Sequence, residues 1–80
     1  MSAEFSVYQF FENEQYERVR SFVPLEEAAK AANHYSNSVA AKMGMCRRVI
    51  ITDGGDSTIW EWKFGEGVVW PKEAVNGQGG

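Results

Sequence analysis

The chain holds one cysteine, one histidine, two prolines and no long apolar run among its 80 residues. Each scarcity excludes something. Cys46 alone cannot close an internal disulfide, which rules out a small secreted scaffold held together by crosslinks. No apolar stretch approaches the roughly 18 residues that a membrane-spanning helix requires. Met1-Ser2-Ala3-Glu4 lacks the basic and apolar segments of a secretory signal, so a cytoplasmic location is expected. Cations are short too: eight Lys and Arg stand against eleven Asp and Glu, a net charge of −3. That balance disfavours a polyanionic partner, because clustered cations supply most non-specific nucleic-acid affinity.

Candidate chemistry is equally thin. Any His-based acid, base or metal site must use His34, which has Ser38 rather than a second ligand one helical turn on. It falls off the apolar stripe of its segment and reads as a solvated or rim residue. Cys46 reads as a small buried side chain entering a strand, and no acid is placed to orient a Cys46–His34 pair. Asp53-Gly54-Gly55-Asp56 offers two carboxylates, but a calcium loop needs six or more oxygens, and a tight turn explains the same four residues. Gly65-Glu66-Gly67 lacks the Lys-Ser/Thr and the following helix of a phosphate cradle. No catalytic, cofactor-binding or metal-ligating residue is therefore assigned, and no enzyme is expected.

What the chain does have is apolar surface: 44% hydrophobic and 14% aromatic residues. Glu4 to Phe11 and Tyr16 to Val23 are rich in aromatic and β-branched residues and flank the short polar run Glu12 to Gln15. They read as a hairpin with Phe11 facing Tyr16, Tyr8 facing Val19 and Phe5 facing Phe22. Pro24 to Met43 reads as one helix, with Pro24 in its first turn, Glu26 and Glu27 at the favourable end of its dipole, and Gly44 as the stop. Its apolar stripe is Leu25, Ala28, Ala29, Ala32, Tyr35, Val39 and Met43, and Asn33 to Ser38 is its weak stretch. Arg47 to Thr52 and Ser57 to Phe64 form a second hairpin around Gly54-Gly55, with both glycines at positive φ. Its register sets Val49 opposite Trp60, Ile51 opposite Thr58 and Arg48 opposite Glu61. Val68 to Trp70 reads as a short fifth strand ended by Pro71, or alternatively as a segment that folds back over the open sheet face and closes a monomeric core.

The predicted fold is α+β, a ββαββ(β) two-layer sandwich with one amphipathic helix on a mainly antiparallel sheet. Residues 1–71 are read as a single domain and residues 72–80 as a flexible tail. The order is similar to β-grasp packing, which would bring the first and fourth strands together in parallel at the sheet centre.

Strands alternate their side chains between two faces, and one helix covers only one of them. Assigning the Arg-free sides to the helix puts Tyr8, Phe10, Val19, Val49, Ile51, Trp60 and Trp62 in the core. The open face then carries Phe5, Val7, Phe11, Tyr16, Arg18, Arg20, Phe22, Arg48, Ile50 and Ile59. Aromatic and Arg side chains together are the composition of interface centres. The expectation is a small protein-interaction module that self-associates as a dimer or holds another protein. Single-stranded nucleic acid on the same face is the alternative, disfavoured by charge; neither a membrane nor a metal is expected.

Overall fold

The computed structural model of the protein describes residues 3–71. The elements are β1 (Phe5–Phe11), β2 (Tyr16–Val23), α1 (Leu25–Ser36), α2 (Val39–Lys42), β3 (Cys46–Thr52), β4 (Thr58–Lys63) and β5 (Gly67–Trp70). One five-stranded antiparallel sheet runs in the order β2-β1-β3-β4-β5, and the helices pack on one of its faces. The result is an α+β slab with extents of 35 × 33 × 18 Å. Eighteen ångströms is the thickness of two layers, since packed secondary-structure layers lie about 10 Å apart.

The β-grasp expectation is corrected by the strand order. β1 pairs antiparallel with β3, and β4 is not its neighbour. The physical reason is the crossover: β2 leads through the helices to β3, which adds beside β1 and continues as a simple meander into β4 and β5. Val68 to Trp70 does form the fifth strand, paired with β4 at Trp62↔Val68 and Glu61↔Trp70. It widens the sheet rather than folding back across it.

The helical segment begins at Leu25 with Pro24 as its N-cap and breaks at Asn37-Ser38 instead of running through to Met43. The Asn33 to Ser38 stretch supplies the means. Asn37 Nδ2 donates to the Asn33 carbonyl at 2.8 Å, and the Ser38 hydroxyl donates to the Tyr35 carbonyl at 2.8 Å. The same hydroxyl accepts from the Ala41 N–H at 3.2 Å and so caps α2. Short polar side chains thus replace helix bonds with local ones. Gly44 ends the segment at φ +83, where an added Cβ would lie 3.3 Å from the Phe64 ring.

The core is built from small residues. Ala28, Ala31, Ala32 and Ala41 meet Val7, Cys46, Val49 and Ile51, with Val19, Val23, Tyr35, Ile59, Trp60 and Trp62 packed around them. Alanine on the packing stripe lets the helix axis sit close to the sheet, so the larger side chains come from the strands. Of the expected stripe, Leu25, Val39 and Met43 are exposed, and Ala31 takes a place that had been given to Ala29.

Both hairpin registers also differ from expectation, each by one residue at its turn, and the second by one more at a bulge. In each turn the left-handed residue is an acidic one, Glu14 (φ +68) or Asp56 (φ +64), and Gly54 and Gly55 are not at positive φ. Phe11 N–H donates to the Gln15 carbonyl, Glu14 N–H to the Phe11 carbonyl, and the Asp53 to Ser57 loop repeats the pattern. These are three-residue loops, a type I turn followed by one left-handed residue. Asp53 Oδ1 holds its loop by accepting from Gly55 and Ser57 N–H at 2.9 and 3.0 Å. The first ladder then pairs Phe10↔Tyr16 and Tyr8↔Arg18, with a bulge at Val19 before Val7↔Arg20. The second pairs Val49↔Trp62, Ile51↔Trp60 and Arg48↔Lys63, with a bulge at Ile59.

Candidate interaction face

The registers define the face of the sheet opposite the helices. Residues paired across a ladder share a face, so three cross-strand rows can be read directly. The first row is Tyr16, Phe10, Arg48, Lys63, running from β2 to β4. The second is Arg18, Tyr8, Ile50, Glu61, Trp70, running from β2 to β5. The third is Ser6, Thr52, Thr58, with Phe22 beside it donating its N–H to Ser6 Oγ at 3.5 Å. Among the described residues nothing packs over these rows. Tyr16 is 63% exposed, Phe22 65% and Trp70 44%.

The rings and cations are organised into one surface. Tyr16 lies 6.0 Å from the Tyr8 ring and 5.5 Å from the Phe10 ring, both tilted. The Arg18 guanidinium stands 6.0 Å over Tyr8 and 5.8 Å from the Phe22 ring, while Arg48 stands 4.9 Å over Phe10. Arg48 Nε also donates to Glu61 Oε2 at 2.5 Å. Ile50 lies beneath this layer and is only 7% exposed. A depression of about 280 Å³ opens between Tyr8, Phe10, Tyr16, Ile50, Thr52, Thr58 and Asp56.

Five of the ten expected face residues are placed here: Tyr16, Arg18, Phe22, Arg48 and Ile50. The other five are not. Val7 is fully buried against the helices, and Phe5 and Ile59 pack on the same core. Arg20 turns to the helix side, 6.0 Å over the Tyr35 ring, and donates to the Val19 carbonyl. Phe11, half-buried at the end of β1, pairs with Cys46 and lines a separate cleft with Met45. Conversely Tyr8 and Phe10, expected in the core, lie on the open face. Their identity as large aromatics carried no signal of side; the register alone decides it.

The sheet edges are poor docking templates beside this face. β2 is bulged at Val19 and bent where Phe22 takes φ +54, and β5 has four residues ended by Pro71. Bulges, short length and a following proline blunt an edge against further strand pairing.

Among the described residues the reactive groups do not converge, and no cluster of three or more His, Cys, Asp or Glu side chains is placed to hold a metal ion. His34 is exposed, with its ring edge-on to Tyr35 at 5.0 Å. Burial pushes the Cys46 thiol above its ordinary pKa, only partly offset by backbone hydrogen bonds at Arg48 and Phe10. A thiol held in its protonated form is a weak nucleophile. No helix among the described residues is long and apolar enough to cross a membrane. The chain matches no family model, and neither a curated protein nor a solved structure matches it.

Proposed function

We propose that this protein is a small non-enzymatic interaction module that self-associates through the open face of its sheet. Phe22 carries the reading. A bulky side chain at φ +54 costs on the order of 1–2 kcal/mol, and a ring 65% exposed recovers little of that within one chain. Burial of the ring against a partner offsets the cost. The surrounding layer of Tyr16, Arg18, Tyr8 and Phe10 has the make-up of an interface centre, and Ile50 supplies an apolar floor.

Sedimentation equilibrium tests the proposal. The expected result is a species heavier than the 9.0 kDa chain, with a dissociation constant in the micromolar range. Phe22→Glu and Tyr16→Glu return the protein to monomer, and His34→Ala leaves it unchanged. Phe22→Gly separates the two effects: association is lost while the folded chain becomes no less stable. A single 9.0 kDa species at several hundred micromolar overturns self-association.

The nucleic-acid alternative has one observation in its favour: among the described residues Arg18, Arg48 and Lys63 share the face with Glu61 in its rows and Asp56 at its rim. Against it, Arg18 and Arg48 lie over the ring faces on which bases would have to stack. Fluorescence anisotropy with labelled single strands at two salt concentrations is expected to show no salt-sensitive binding.

A further inference from the structure

We infer that the partner on the open face is a second copy turned about a two-fold axis along β3, laying β2 of each copy over β5 of the other. This rests on the role proposed above for the face. A face-to-face homodimer has two simple settings of its axis. An axis across the strands would lay each strand on its own copy, putting Arg18, which among the described residues has no acidic partner on the face, on Arg18. Like charges held together cost an interface several kcal/mol. An axis along the strands keeps each row on itself and reverses the strand order. The second row then sets Arg18 against the partner's Trp70 and Tyr8 against the partner's Glu61, with the buried Ile50 of each copy beneath the layer at the axis.

The first row follows the same complementarity, and Phe22, on β2 one row past Arg18, lies diagonally against the partner's Trp70. In the first row Lys63 lies against the partner's Phe10, so both cations without an acidic partner on the face land on aromatic rings. Tyr8 and Tyr16, at the β2 edge of the depression, flank the position that the partner's Trp70 takes over Arg18. Only Arg48 meets a like charge, at one end of the axis, and its own Glu61 already holds it.

Area agrees with a weak dimer. Five strands about 4.8 Å apart and about 20 Å long give a face near 500 Å². Two such faces bury about 1,000 Å², at the lower limit for a specific interface, which is consistent with micromolar association.

Within one chain Arg18 and Trp70 sit four strand spacings apart, about 19 Å, too far to interact. Any energetic coupling between them therefore reports the dimer. The test measures dimer dissociation constants for the intact sequence, Arg18→Ala, Trp70→Ala and the double variant. Because the two-fold dimer holds the contact twice, Arg18→Ala is expected to weaken it about ten-fold, and the double variant to be about ten-fold tighter than the product of the single effects. Arg18 is exposed, so its substitution leaves the core untouched and its sign stands even if Trp70→Ala folds poorly. A stronger dimer with Arg18→Ala, or strictly additive effects, overturns the axis while leaving the face intact. A dimer unaffected by Phe22→Glu and Tyr16→Glu, or no dimer at all, overturns the proposed role of the face itself.

Discussion

At the scale of single residues, the left-handed positions decide which side chains meet. Gly54-Gly55 and Asn13 marked the two turns correctly in the sequence, yet the residues at positive φ are Asp56 and Glu14. A three-residue loop places its left-handed residue after the type I turn, so glycine need not occupy that position. In the first hairpin this moves Tyr8 from Val19 to Arg18. The rule that Arg-bearing sides face outward holds for Arg18, which in the observed register takes Tyr8 and Phe10 outward with it, and fails for Arg20, which lies past the Val19 bulge on the helix side with Val7. A one-residue slip exchanges the two faces of a strand, which is why composition showed surplus aromatic surface but not its members. The second hairpin slipped by two, and Val49, Ile51, Trp60 and Trp62 stayed together on the helix side. Glu14 at φ +68 is also a measurable strain, being neither Gly nor Asn. Glu14→Gly is expected to stabilise the fold by about 1 kcal/mol, since relief of left-handed strain exceeds the entropy lost with glycine. Thermal unfolding should show a rise of about 4–8 °C for a chain of this size.

At the scale of elements, the helix was legible in kind and not in extent. The alanine spacing and the Gly44 stop were visible, and so was the weakness of Asn33 to Ser38. Whether weak propensity bends a helix or breaks it depends on what the polar side chains reach, and that is set by folding. Here Ser38 both closes α1 and opens α2 with one hydroxyl. Removing that hydroxyl is expected to cost about 1 kcal/mol, the usual loss at an N-cap. Ser38→Ala in urea unfolding should lower the midpoint with an unchanged slope. Since α2 contributes Ala41 to the core, the loss should appear in global stability rather than as local fraying alone. The exposed Val39 and Met43 follow from the same break, because α2 does not continue the stripe of α1.

At the scale of the whole molecule, one helical layer on a five-stranded sheet leaves a face to spare, and that much was written in the balance of elements. The order of the strands was not, since local patterns specify hairpins but not which hairpin edge joins which. Among the described residues one ladder is non-local. β1–β2, β3–β4 and β4–β5 close through short turns, whereas β1–β3 joins Phe10 to Arg48 and Ser6 to Thr52. The chain is thus two meanders, assembled by a single seam under the helix. Closing a loop of about forty residues costs entropy before the seam yields any contact, so the speed of folding is set there. Val49→Ala, in the seam, is expected to slow refolding, while Val68→Ala, in the last strand, mainly hastens unfolding. Stopped-flow chevrons of the two variants measure the difference, read at concentrations low enough to keep the chain monomeric. Until the seam closes, each meander exposes an unpaired edge, β1 on one side and β3 on the other. The same pair of edges can join between two chains as readily as within one, so refolding at high concentration runs the risk of exchanged halves.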